Sequence, residues 1–596
     1  MKQWASTLRV LSHCLDWLTV AAALVCLVAL VLYEGFDRSV ITYSHIKPWL
    51  RMAQAIFAVN VVFNLTLRFK VTVRENRVLK WIVDFALLLT LIPWIYPHPT
   101  NPWFPALDKF IYSKALLACI LAAYSLVYLC FAIIRSLSKR TNPALILSTS
   151  FLLLIGVGTL LLLLPRSTIH GISPIDSFFV STSAVCICGL TTVDVPTTFT
   201  PMGMAIIAIM MQVGALGVMT FTSSFALFFS GNASVYSQLM VKDMFYSKTI
   251  NSLLPTLLYV LMLTLSIEAL GAIGIYWGIH GTLPGYSMHE EIMCAIFHSI
   301  SAFCNAGFST IPDGMSNRYL MHGNQLIYLF ISVLVIAGGI GFPILVNVKD
   351  AVHSRLRSFW RKTRYRWADR RPHLYDMNSR VAMLTSAILG VITIVLFFIF
   401  ENNNSLAGMS PYEKLVQSIF NSVTPRSAGF VSVNPAGFLP VTLLLVMFMM
   451  WIGAGSQSTA GGIKVNTFAA AWLHLRAVVT GRRQVRAFNG TVSAASLSRA
   501  QAVIFLSILS YVIFSGIILL LHPHLPAKVL LFETLSALFT VGSSLGATPL
   551  LSWAGKLLLC IAMFVGRVGL LSLLCGIVDQ KKDPPVGMPE ENLIIN

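Results

Sequence analysis

Residues 301–307 read Ser-Ala-Phe-Cys-Asn-Ala-Gly, residues 183–189 read Ser-Ala-Val-Cys-Ile-Cys-Gly, and residues 536–542 read Ser-Ala-Leu-Phe-Thr-Val-Gly. A more divergent stretch, 423–429, reads Val-Thr-Pro-Arg-Ser-Ala-Gly and closes on the same residue. The four glycines, Gly189, Gly307, Gly429 and Gly542, are separated by 118, 122 and 113 residues. A period held this closely marks a repeated structural unit. Each glycine closes or follows a short apolar run, near 175–189, 292–306, 412–428 and 528–541. A bilayer crossing takes about 20 apolar residues, and runs of roughly 10–14 are re-entrant or interfacial.

Longer apolar runs surround these four. Twelve spans are expected, near 14–33, 52–69, 81–97, 112–134, 144–164, 202–229, 253–279, 326–347, 381–400, 439–475, 502–521 and 557–578. Composition agrees: of 596 residues 56% are hydrophobic and 11% charged, with a mean hydropathy of +0.77. A soluble chain of this length needs more charge to cover its surface. The net charge of +19 does not indicate nucleic acid, because the basic residues sit in short loops and form no aromatic-interleaved stripe. Arg74 and Arg77 follow the second span, Lys139 and Arg140 the fourth, Arg355 to Arg371 the eighth, Arg482 and Arg483 the tenth, and Lys581 and Lys582 the twelfth. Every strong cluster follows an even-numbered span, so both termini are expected on the cytoplasmic side. The first run has no small-residue cleavage site and reads as a retained anchor.

Each unit contains two spans, so successive units enter the membrane the same way up. Secondary transporters more often carry inverted repeats or paired halves around a midplane site. Four same-way units predict an all-α membrane protein of four repeated helix–pore loop–helix units with quasi-fourfold symmetry around a central pore, plus an N-terminal four-helix extension. On such an axis four loops can offer backbone carbonyls to a dehydrated cation, and glycine permits the left-handed backbone this requires. A second glycine follows in each unit, Gly214, Gly338, Gly453 and Gly566; close helix packing is one reading of it. Gly453–Lys464 reads Gly-Ala-Gly-Ser-Gln-Ser-Thr-Ala-Gly-Gly-Ile-Lys and interrupts the tenth span. It is either a helix kink or a broken helix that lines a cavity or is buried in protein. Arg567 is a charge in the middle of an apolar span, facing a cavity or paired with a residue such as Glu268.

These stretches resemble the Trk/Ktr/HKT superfamily of potassium transporters, and the bacterial Trk-type channel subunit most of all. The resemblance covers about residues 144–580. It implies potassium uptake or conductance across the cytoplasmic membrane through a filter made by Cys186, Ile187, Cys188 and Gly189; Cys304, Asn305, Ala306 and Gly307; Arg426, Ser427, Ala428 and Gly429; and Thr540, Val541 and Gly542. It implies that Gly453, Gly455, Ser456, Gly461, Gly462 and Lys464 belong to an intramembrane gating loop, with Arg567 as an electrostatic barrier on the axis. It further implies a homodimer with one pore per protomer, lipid contact, and a separate cytoplasmic nucleotide-binding subunit. K+ is the expected cargo, with no organic cofactor. Cys186 and Cys188 stand where the family more often has Thr, and Phe539 where a small residue is usual. A sodium or non-selective pathway on the same fold, or a cation symporter, is the alternative. Thiols lining the filter predict sensitivity to mercurials.

The units are expected at 144–230, 231–348, 381–480 and 481–580, with a basic loop at 349–380 and a tail at 581–596. The extension, 1–143, has only Lys114 in its fourth span, so it lacks the charges a voltage sensor uses and reads as a packing or assembly module. The ten cysteines lie mostly in apolar runs, without disulfide or zinc spacing. The 13 histidines form no His-Glu-x-x-His, no nucleophile elbow with its partners is present, and no Gly-rich nucleotide loop follows a strand, so no enzyme is expected.

Overall fold

The computed structural model describes residues 2–37, 43–67, 78–96, 112–137, 143–217, 253–348 and 377–569, apart from 322, 343 and 489, together with 571 and 574. The basic residues at 74, 77, 139, 140, 355–371, 581 and 582, and the tail 581–596, lie outside that set. The described chain is helical, and its only named strands are a two-residue hairpin, Arg486–Ala487 with Gly490–Thr491.

The extension forms its own small bundle. α1 (Lys2–Gly35), α2 (Tyr43–Leu67), α3 (Val78–Leu89) and α4 (Lys114–Leu137) share a core around Ala23, Ala53, Phe57, Leu121 and Tyr124. The third expected span does not run through: α3 ends at Leu89, and a separate turn of helix, Ile92–Ile95, follows with Pro93 in its first turn. The bundle touches the remainder through Arg166, whose guanidinium donates to the Glu34 carbonyl at 3.0 Å.

Four three-helix segments follow. The first has α5 (Pro143–Leu162), the short α6 (Pro174–Cys186) and α7 (Pro201–Leu216). The second has α8 (Leu253–Ile279), α9 (Met288–Phe303) and α10 (Leu326–Ile340). The third has α11 (Met377–Glu401), α12 (Pro411–Val423) and α13 (Pro440–Trp451), continued by α14 (Val465–Val479). The fourth has α15 (Ala494–Leu521), α16 (Ala527–Leu538) and α17 (Trp553–Val568). Three of the short helices are capped by serine side chains. Ser173 and Ser287 cap α6 and α9, Ser410 caps α12, and Glu290 and Glu413 complete reciprocal capping boxes.

Three spans expected to be continuous break at a glycine, and past Gly341 residues 342 and 344–348 are helical again. α7, α10 and α17 stop at Leu216, Ile340 and Val568, where Gly217, Gly341 and Gly569 take φ of 77°, 101° and 87°. A left-handed glycine ends a helix whatever the hydropathy beyond it. The packing is circular. α7 packs on α9, α10 on α12, α13 on α16, and α17 back on α6, so the last helix of each segment supports the short helix of the next.

Candidate ion pathway

Each short helix delivers its sequence motif at its C-terminal end. After α6 the backbone turns left-handed at Ile187 (φ 58°) and again at Gly189 (φ 95°); Asn305 (59°) with Gly307 (73°), and Thr540 (50°) with Gly542 (96°), repeat this alternation. Ile187 and Thr540 are β-branched, and positive φ is a true outlier for them, costing on the order of 1–3 kcal/mol each. The third loop differs. Thr424–Arg426 forms a turn of 3-10 helix, Ser427 is extended at φ −178°, and only Gly429 (φ 65°) is left-handed. Pro425 stands at the start of that turn, where its fixed φ fits.

Serine struts hold three of the loops. The amides of Cys188, Ala306 and Val541 donate to the carbonyls of Ser183, Ser301 and Ser536, each at 2.8 Å. The Gly189 and Gly542 amides donate to the Ser183 and Ser536 hydroxyls at 3.0 Å, while the Ser301 hydroxyl donates to the Phe308 carbonyl at 2.8 Å. These serines stand in the repeated motifs, where sequence alone assigns them no role.

The four glycines meet head to tail. A Cβ added to Gly189 would strike the Ala306 carbonyl oxygen, one on Gly307 the Ala428 oxygen, one on Gly429 the Val541 oxygen, and one on Gly542 the Cys188 oxygen. The contacts close into a ring in the order first, second, third, fourth, first. Side chains of the loops turn away into protein: Cys188, Cys304, Asn305, Ala306, Ala428, Thr540 and Val541 are fully buried. Cys188 Sγ lies 3.7 Å from the Ser536 carbonyl, and Cys304 Sγ lies 3.4 Å from Gln212 Oε1. What remains near the ring is backbone.

The downstream glycines are contact residues. A Cβ on Gly214, Gly338 or Gly566 would collide with the carbonyl of Val185, Phe303 or Leu538, the last turn of the short helix in the same segment. In the third segment Gly453 instead faces the Gly461 carbonyl across the loop.

That loop, 452–464, folds under the ring. Ile452 and Ile463 form a bridge that closes it, Gly455 N donates to the Gly339 carbonyl at 2.7 Å, and Val465 N to Ala454 at 3.1 Å. Gly461 abuts Thr540 Oγ and the Phe539 carbonyl, and Thr459 Oγ stands 2.9 Å from the Asn305 amide and 3.1 Å from the Gly338 carbonyl. Gln457 and Gly462 adopt φ of 56° and 70°. Asn466 Nδ2 is 3.5 Å from Ser456 Oγ, and Lys464 Nζ donates to the Ala460 carbonyl at 2.5 Å. Arg567 donates from Nη1 to the Thr459 carbonyl and from Nη2 to the Gly214 carbonyl at 2.8 Å. One guanidinium on α17 therefore ties the loop to α7. No ion pair with Glu268 is found among the described residues; Glu268 accepts from Gln212 Nε2 at 3.1 Å. Thr459, central to these contacts, was missed because its role rests on groups more than a hundred residues away.

Arg426, the divergent residue of the third motif, sends its side chain outward. Its Nη2 reaches the Gly453 carbonyl at 3.4 Å and its Nη1 the Ser386 carbonyl at 3.4 Å. At the far end of α6, Asp176 accepts from Lys556 Nζ at 2.7 Å and so joins the first segment to α17. Burial pushes the Asp176 carboxyl up, but hydrogen bonds from Lys556, Ser173 and Thr192 outweigh it and hold it below the usual range. Among the described residues no group of three or more His, Cys, Asp or Glu is placed to hold a metal ion.

Comparison with known proteins gives one consistent result. A family model described as TrkH, cation transport protein, matches residues 113–584. The chain is 32% identical over 438 residues to the Ktr system potassium uptake protein B of Bacillus subtilis, covering 73% of this chain and 93% of that protein. It is 29% identical over 474 residues to the potassium/sodium uptake protein NtpJ of Enterococcus hirae, covering 77% and 99%. The solved structure of the potassium transporter TrkH from Vibrio parahaemolyticus has the same fold, with a TM-score of 0.56, 19% identity, and 84% and 99% of the two chains covered.

Proposed function

Since this chain belongs to the TrkH family of cation transport proteins, we propose that it conducts potassium across the cytoplasmic membrane through the ring of Gly189, Gly307, Gly429 and Gly542. It is a membrane transporter and not an enzyme. The observation that carries the potassium reading is the closed ring of glycine-to-carbonyl contacts. Four loops arranged around one quasi-fourfold axis present backbone oxygens, and no buried loop side chain is needed for ligation. The names of the relatives, potassium uptake proteins of the Ktr type, support K+ as the cargo.

In this reading the 452–464 loop is the gate. Lying under the ring and held by Arg567, it closes the path with backbone and a cation together. Both termini face the cytoplasm, and two protomers pair, each with its own path. A separate nucleotide-binding subunit on the cytoplasmic side works the gate; the basic stretch 355–371 either docks it or only fixes the topology. The rival reading is a sodium or non-selective pathway. One relative is named a potassium/sodium uptake protein, and Cys186, Cys188 and Phe539 depart from the usual family residues.

The test is flux in liposomes reconstituted with purified protein, potassium against sodium, with Gly189→Ser and Gly542→Ser beside wild type. Potassium preference in wild type, relaxed toward sodium in either variant, is the expected result. Equal fluxes in wild type would select the rival reading. Silence in wild type and in Arg567→Ala would remove the conductance altogether.

A further inference from the structure

The segments are not sealed against one another everywhere. Between α10 and α11 lies a cavity of about 350 Å³, lined by Val335, Gly339, Ala387, Gly390 and Ile394 among others. Its mouth opens on an exposed apolar helix face: Val391, which also lines it, is 61% exposed, and its neighbours along α11, Ile388 and Val395, are 49% exposed each. At its inner end is Arg426. No carboxylate is paired with this guanidinium among the described residues. Its contacts to Ser386 and Gly453 are long, at 3.4–3.5 Å, and its buried Nε has no partner. The Ser422 hydroxyl, also lining the cavity, is buried and unpartnered too.

A cation in an apolar surrounding needs a counter-charge, because an isolated buried charge is costly. Nothing in the described protein supplies one here. The bilayer can. We propose that this cleft binds a single-chain acidic lipid, a fatty acid, with its carboxylate on Arg426 and its hydrocarbon tail running past Gly390 and Val391 into the membrane. A guanidinium and a carboxylate match as a two-pronged, charge-assisted pair, which would also occupy the orphaned Nε. The volume stands near the small end of organic-ligand sites and so suits one chain within the cleft. Since the same guanidinium donates to Gly453, the bound head would sit next to the start of the 452–464 loop.

Gly390 allows the cleft to be filled without touching Arg426, since a Cβ there meets nothing within 4 Å. The experiment uses full-length protein in neutral-lipid nanodiscs with a diazirine-bearing fatty acid, and the matching fatty alcohol as control, followed by peptide mapping. The acid is expected to label peptides spanning 335–344 and 382–394 about tenfold more than the alcohol does, the weight of one charge-assisted contact. Gly390→Phe abolishes that labelling, and Arg426→Gln brings the acid down to the level of the alcohol. Melting temperatures confirm that both variants are folded; if Arg426→Gln is not, Arg426→Lys takes its place, retaining part of the preference. Equal labelling by acid and alcohol in wild type, labelling unchanged in Gly390→Phe, or no labelling of these peptides would each overturn the proposal.

Discussion

Gly338 and Gly156 are both helical glycines in apolar segments, yet their surroundings differ completely. A Cβ at Gly156 meets nothing within 4 Å, whereas one at Gly338 runs into the Phe303 carbonyl. Backbone cannot rotate away as a side chain can, so the strain must be absorbed by moving α10 off the end of α9. Gly338→Ala is therefore expected to destabilise by roughly 1–3 kcal/mol, the range for overpacking, and Gly156→Ala to be near neutral; thermal melting in detergent separates the two. Periodicity in the sequence singled out Gly338 but could not say whether it packs helices or lines a path. Which one depends on what lies across from it. The serine struts were less visible still. Ser183 heads its motif, but its hydroxyl matters only because the chain turns back and brings the Gly189 amide within 3.0 Å. Ser183→Ala leaves that amide without its partner, at a cost of about 1–3 kcal/mol. It should lower both the melting temperature and the potassium preference in liposome flux; a lower melting temperature with unchanged preference would assign the serine to stability alone.

At the scale of elements, the four short apolar stretches and their closing glycines stand out in the sequence, because run length and glycine are written locally, whereas the serine caps of α6, α9 and α12 are seen only in the structure. The ends of the long helices do not stand out. Hydropathy runs on past Gly217, Gly341 and Gly569, and an average over apolar residues carries no information about φ. The broken helix at 452–464 was the exception, since serine, threonine and paired glycines there interrupt the apolar run itself. How that segment is held could not be read in advance. Arg567 spends its charge on two carbonyls, Thr459 in the loop and Gly214 on α7, and no carboxylate shares it among the described residues. Arg567→Ala deletes both contacts at once. With hydrogen bonds from a charged group each contributing about 1.5–3 kcal/mol, the loop loses its strongest visible tie, and potassium flux in liposomes lacking any cytoplasmic partner should rise on the order of tenfold or more. A fall in flux with an unchanged melting temperature would mean that Arg567 helps ions through and does not hold the loop.

Over the whole molecule, the order of the segments around the ring makes a prediction that no single loop makes. Gly189 touches the second loop, Gly307 the third, Gly429 the fourth and Gly542 the first, and the supporting helices follow the same order, α7 on α9, α10 on α12, α13 on α16 and α17 on α6. Neighbouring loops are therefore in direct contact, whereas Gly189 and Gly429 have no contact of this kind. Substitutions at groups in contact couple by about 0.5–3 kcal/mol, and those well separated add to within roughly 0.3–0.5 kcal/mol. Serine substitutions at Gly189 and Gly307, singly and together, should thus give a non-additive change in the logarithm of the potassium-to-sodium flux ratio, and so should Gly542 with Gly189. The pair Gly189 and Gly429 should be additive. The sequence period predicts four equivalent units but is silent on their order, since any arrangement of four same-way segments has the same spacing along the chain. Coupling between Gly189 and Gly429 as strong as between neighbours would mean that the loops meet at one point and not in a circuit. Additivity throughout would mean that each loop meets the ion independently, with the contacts between them serving only to hold the ring together.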